Sequence, residues 1–247
     1  QTITKSDDVE RSFFSDLGAW HAYALPQRIE DRGSFIGPLV MDLSGEWLAN
    51  TIAKLVISEN GRALDLAQAT FSTTYFPGIL EQKFLLAEFD VSQQLIFVSN
   101  REAMIQTKIT NRSGRARSLE ILYTGELLLP KASLQNDTNR LAVTFPDREK
   151  SFVIDFDHPQ TLAFEIDGGS YKAVYPTIKL KPGRSISLVH TQKYFLQNRE
   201  LPAENIKRHF ATELKRNERR WSGYLSRYFS TPLVPDDPKR RLAVKAI

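Results

Sequence analysis

The stretch Phe13–Pro26, FFSDLGAWHAYALP, gathers most of the chemistry-bearing residues found outside regular periodicity. It carries Phe13, Phe14, Asp16, Trp20, His21 and Tyr23, and neither a 3.6-residue nor a two-residue apolar repeat organises them. A Gly/Pro-punctuated segment, DRGSFIGPLV, follows. Aromatic loops with interleaved polar groups suit sugars, because rings stack on pyranose faces while side-chain donors and acceptors take hydroxyls. The candidate substrate-binding residues are therefore Trp20 as a stacking platform, with His21 or Asp16 bonding a hydroxyl. The same residues also suit a plug that closes one end of a β-sandwich or seals a domain interface.

Elsewhere the chemistry is thin. The four histidines, His21, His158, His190 and His209, are scattered, with no HExxH or paired spacing, and there is no GxSxG, P-loop or GxGxxG. His190 falls in an alternating strand, His209 on a polar helical face, and His158-Pro159 reads as a turn. Asp155 and Asp157 share one face of a predicted strand, since side chains alternate with period two, and read as a solvent-facing row. Asn111-Arg112-Ser113 and Asn136-Asp137-Thr138 match the glycosylation sequon, a short and common pattern. With no cysteine, disulfides, thiol nucleophiles and Cys-based zinc sites are all excluded. No catalytic residue, metal site or cofactor is assigned to the chain.

The elements that must position these residues are mostly strands. From about Phe35 to Leu196 the apolar residues alternate in short runs broken by turn signals, implying antiparallel sheets packed face to face. KLVISENGRALDL is a hairpin around Asn60-Gly61, the strongest short hairpin signal. MIQTKITNRSGRARSLEILYTGELLL is read as the same design, with its loop at Asn111–Arg117. After Pro202 the period changes: Ile206, Phe210, Leu214, Trp221, Leu225 and Phe229 recur at intervals of four or seven and predict one apolar stripe of a long helix. STPLVPDDP interrupts it, and Leu242, Ala243, Ala246 and Ile247 begin a second stripe. That stripe reads as the first element of a further domain. The organisation is thus a β-sandwich domain over 1–200, a helical linker over 201–235 and the start of another domain over 236–247.

A chain of 247 residues with net charge +4 is long enough to bury a substantial core. The positive excess lies between Lys207 and Arg241, where it reads as the solvated face of helices, so no nucleic-acid partner is expected. No apolar run approaches the roughly 18 residues of a membrane span.

Several of these segments carry a resemblance. FFSDLGAWHAYALP, GSFIGPLV, QTKITN, YTGELL and RWSGYLSRYF followed by RLAVKAI occur in that order. Together, from about Phe13 to Ile247, they resemble the N-terminal region of bacterial members of glycoside hydrolase family 63. The resemblance implies a mainly β fold, an antiparallel β-supersandwich followed by a helical linker, leading into a C-terminal (α/α)6 barrel. It implies an inverting, exo-acting α-glucosidase whose paired carboxylates, and any metal site, lie in that barrel. The expected partners are the C-terminal catalytic domain of the same protein and an oligosaccharide or α-glycoside substrate, in the bacterial periplasm or outside the cell. By this reading the chain hydrolyses nothing itself. The other reading is a stand-alone carbohydrate-binding or structural β module.

Overall fold

A computed structural model describes residues 12–41, 45–146, 149–201 and 207–230. Seventeen strands form three antiparallel sheets, and one α-helix closes the described chain.

The first sheet is small: β1 (His21–Ala24), β2 (Ile36–Val40) and β3 (Glu46–Trp47), in that spatial order. The second is built from β4 (Lys54–Glu59), β5 (Arg62–Ala63), β10 (Arg117–Glu126), β14 (Ala163–Asp167), β15 (Ser170–Val174) and β16 (Ile178–Leu180). Its order is β14-β15-β10-β4-β5, with β16 beside the start of β10. The third holds β6 (Thr70–Phe76), β7 (Ile79–Leu85), β8 (Phe89–Ser99) and β9 (Glu102–Asn111). It also holds β11 (Ser133–Asp137), β12 (Arg140–Thr144), β13 (Ser151–Asp157) and β17 (Ser185–Phe195). The order is β11-β12-β13-β17-β9-β8-β7-β6, which leaves β6 at an edge.

The two large sheets pack face to face because alternate residues of each strand are apolar. Leu55, Ile57, Leu119, Ile121 and Tyr123 meet Val91, Ile109, Phe152, Ile154 and Phe156 in the principal core. A second core sits under β1, where Phe14, Tyr23 and Phe35 pack on Leu80, Leu95, Phe97 and Ile105. The supersandwich expected from the sequence is therefore present. The Asn60-Gly61 hairpin is also as read: φ is 51° and 72° at the two residues, the left-handed pair a two-residue hairpin turn requires.

The expected second hairpin is not one. β9 pairs with β8 and β17, whereas β10 pairs with β4, β15 and β16, so the chain crosses between sheets at residues 112–116. Asn111 shapes that crossing. Its amide donates to the carbonyls of Arg115 (2.8 Å) and Leu180 (3.0 Å), and its Oδ1 accepts from Ser113 N (2.9 Å). Fully buried and fully bonded, this sequon is a loop device, whereas Asn136 is exposed on β11.

The helix α1 spans Phe210–Phe229. Phe210 and Leu214 press on Ile79, Ile96 and Met104, on the face of the eight-stranded sheet that points away from the sandwich core. Tyr224 and Tyr228, further along, are exposed. Ile206 and the second stripe from Leu242 to Ile247 lie outside the described residues, as do the segments around them. Among the described residues no helix is long and apolar enough to cross a membrane.

Candidate interface and binding site

Residues 15–19 form a tight turn ahead of β1. Leu17 and Gly18 have φ of 57° and 70°, Asp16 Oδ1 accepts from Leu17 N at 2.7 Å, and Ser15 Oγ donates to Ala19 O at 2.9 Å. The turn aims the Asp16 carboxylate at α1. There it accepts from Arg220 Nη1 at 2.9 Å, from Arg220 Nη2, and from Trp221 Nε1 at 3.0 Å. Its side chain is only 7% exposed. A carboxylate receiving a forked guanidinium and an indole N–H has most of its acceptor capacity engaged. Asp16 is thus the hub of a junction, with little left for a sugar hydroxyl.

The junction extends to the β6–β7 turn. Asn217, buried in the apolar stripe of α1, donates to Gly78 O at 2.8 Å and accepts from Arg220 Nη2 at 2.5 Å. Gly78 has φ 78°, and a Cβ there would stand 2.2 Å from Trp221 Cδ1 and Nε1. Only glycine lets the indole lie flat against this turn. The loop before β1, the β6–β7 turn and α1 are therefore fastened at one point.

His21 points the other way. It is 0% exposed, packed among Phe97 (ring centroids 5.1 Å), Tyr23 (5.7 Å) and Tyr194 (6.5 Å). Burial lowers its pKa from 6.5 to about 3, with the nearby Gln192 backbone acting in the opposite direction, and neither ring nitrogen has a partner in hydrogen-bonding geometry. A neutral, sealed imidazole neither meets a ligand nor exchanges protons with solvent. All four residues of β1 are buried, so its strand alternation offers no outward position for His21. Trp20, immediately before the strand, is 48% exposed. The structure thus separates the three sequence candidates: Trp20 outward, Asp16 into the junction, His21 into the core.

The solvent-facing reading of Asp155 and Asp157 holds for Asp157, which is exposed, and is corrected at Asp155. Asp155 is 3% exposed and accepts from Arg140 Nε (2.6 Å) and Lys193 Nζ (2.9 Å). Lys193 in turn lies 3.8 Å from Glu102, which pairs with Arg208 at 3.3 Å just ahead of α1. Burial pushes the Glu102 carboxyl above its ordinary range, with Lys193 and Arg208 opposing. The outward face of the sheet is covered here, and its charges are compensated in a chain. Among the described residues no group of three or more His, Asp or Glu is placed to hold a metal ion.

Arg220, Asn217 and Gly78 were not singled out from sequence. Asn217 had a visible signal: with Phe210, Leu214 and Trp221 it completes the spacing of one stripe, and a polar residue there implies a buried partner. Nothing local marks Asp16 and Arg220 as a pair, since 204 positions separate them.

The fold is a mutarotase-like antiparallel β-sandwich. A galactose mutarotase-like protein from Lactobacillus casei superposes with a TM-score of 0.52 at 7% identity, over 75% of this chain and 100% of its own. A putative aldose 1-epimerase from Escherichia coli gives 0.52 at 8% identity, over 74% and 99%. A putative kojibiose phosphorylase from the human microbiome gives 0.51 at 9% identity; 85% of this chain spans only 38% of that one. Residues 2–164 match the family described as glucosidase YgjK, N-terminal, and the chain belongs to that family.

Proposed function

We propose that this chain is the non-catalytic N-terminal domain of a bacterial, inverting, exo-acting α-glucosidase of glycoside hydrolase family 63, acting in the periplasm or outside the cell. It packs against an (α/α)6 catalytic barrel and forms one wall of that barrel's pocket. The observation that carries this reading is the division of α1. Residues 210–221 are fastened to the sandwich through Phe210, Asn217 and the Asp16–Arg220 pair, while Tyr224 (42%), packed at the edge of the junction against Trp221 at 5.8 Å, and Tyr228 (41%) stand exposed towards the helix end. Exposed aromatic residues gathered on an anchored helix suit a surface that a neighbouring domain covers. Trp20, exposed next to the Asp16 turn, belongs to the same side of the argument. It is either a sugar platform or part of that covered surface.

Inverting hydrolysis requires two carboxyl groups about 6.5–9.5 Å apart with room for a water. Asp16, Asp155 and Glu102 are each compensated by cationic side chains. We assign the pair to the barrel, as the family resemblance implies. A stand-alone carbohydrate-binding module is the second reading, favoured by the fact that the mutarotase-like neighbours match over 99–100% of their length. Gene sequence beyond Ile247 separates the two: about 400 further residues of helical periodicity, well above a single typical domain, support the first, and a stop codon supports the second.

Trp20→Ala in the enzyme that contains the barrel tests the role of this side chain. A sugar platform loses about 1–3 kcal/mol in kcat/KM, by analogy with base–aromatic stacking, with little change in Tm. A lowered Tm with kcat/KM intact would instead make Trp20 an interface residue only.

A further inference from the structure

Among the cavities that open on the described surface, three differ in the charge of their linings. One of about 410 Å³ between the β6–β7 hairpin and α1 includes Glu81, Lys83 and Glu218. Another of about 280 Å³ at the β12–β13 end includes Asp137, Arg140, Asp155, Asp157 and Lys207. The third, about 510 Å³, lies between the segment 12–13, the end of β1 and the edge strand β6, and among the described residues its lining carries no charged side chain. Its size falls within the roughly 300–1,000 Å³ of small-molecule sites.

Its walls combine rings with neutral polar groups: Ser12, Phe13, Pro26, Gln27, Thr73 and Tyr75. Both rings are fixed from behind. Tyr75 stands edge-on to Phe14 at 5.6 Å and 86°, and Phe13 lies 5.5 Å from Trp47. Tyr75 nevertheless remains 41% exposed. The hydroxyls of Ser12, Thr73 and Tyr75 make no hydrogen bond with the described residues, which leaves them available to a ligand. Held rings need little further ordering when a ligand stacks on them, and the hydroxyl and amide groups of the described lining suit a neutral, hydroxyl-rich ligand. We infer that this groove is a saccharide-binding subsite for a neutral α-linked glucosaccharide, with Tyr75 and Phe13 as its stacking walls. The ligand class rests on the glucosidase reading above; the groove itself does not.

The test is a titration of the 247-residue chain with maltose, followed by amide chemical shifts and calorimetry. Saturable binding is expected, with shifts centred on Phe13, Thr73 and Tyr75. Tyr75→Ala should weaken it by about tenfold, the loss of one stacked ring, and Tyr75→Phe should retain most of it. Thr73→Glu, an exposed edge-strand change that leaves the core untouched, should abolish binding while the chain stays folded. The inference is overturned if maltose does not bind at tens of millimolar. It is also overturned if Tyr75→Ala and Thr73→Glu bind normally, or if the shifts centre on Trp20. Shifts that follow protein concentration instead of maltose would show a second chain pairing along β6, and would equally overturn it. Because no turnover is needed, failure here leaves the Trp20 and barrel experiments standing as separate tests.

Discussion

Asp16 shows how far a side chain's role depends on partners remote in sequence. Beside Trp20 and His21 it reads as a sugar ligand; in the fold it receives Arg220 and Trp221. Asp16→Ala removes one side of a largely buried, hydrogen-bonded pair, leaving the indole N–H unmatched and the guanidinium without its carboxylate, though still bonded to Asn217. The expected loss is about 1–3 kcal/mol, discounted because the Arg220 side chain is 20% exposed. Differential scanning calorimetry should register it as a fall of about 2–4 °C per kcal/mol for a domain of this size. An unchanged Tm would show that the junction contributes nothing to stability. Two histidines supply a pH signature. His21 and His190 are both fully buried, with pKa lowered by burial from 6.5 to about 3. Below pH 6.5 the unfolded chain takes up protons that the folded chain refuses, so stability falls with pH from about 6.5 towards about 3. At most about one proton per histidine enters the slope. His190→Phe should flatten the slope measured by urea unfolding between pH 7 and 5; an unchanged slope would mean that this ring is protonated in the fold.

At the scale of elements, alternation was legible wherever one face of a strand meets the core, and the Asn60-Gly61 turn was legible from two residues. The separation of β9 and β10 into different sheets was not, because adjacency in sequence is the default, while the crossing rests on partners remote in sequence, among them the Leu180 carbonyl that Asn111 bonds. Asp155 was misread for a related reason: period two distinguishes the faces of β13, but not whether the outward one is covered. The helix was legible from its stripe, yet its attachment depends on Gly78, a turn residue with no periodicity of its own. Gly78→Ala puts a methyl into the Trp221 ring and a non-glycine residue at φ 78°. We expect a loss of about 1–3 kcal/mol. Since Asp16→Ala and Gly78→Ala both act through Trp221, their losses should combine to less than the sum. Strict additivity would dismiss a shared junction. Hydrogen exchange provides a second check on α1. Amides near Phe210–Asn217 should be protected well beyond those near Tyr224–Tyr228, and uniform protection would contradict the division of the helix.

At the scale of the molecule, the two-layer sandwich was legible because its core demands the same alternation throughout, whatever the pairing order. The site was less so. The Phe13–Pro26 stretch does contain a junction, an exposed Trp and one wall of a groove, but they are three places in the fold and not one pocket. What unites them is position, since the loop, the β6–β7 turn and α1 meet on one side of the domain. That arrangement is the one the proposed role, a non-catalytic domain working against a neighbour, requires. The most direct measurement of this claim is hydrolysis of an aryl α-glucoside, assayed in parallel with the 247-residue chain and with the protein extended through the proposed barrel. The expected result is no turnover above buffer for the chain and hydrolysis with inversion for the extended protein. Turnover by the purified chain alone, or none by the extended protein on any α-glucoside, would contradict it.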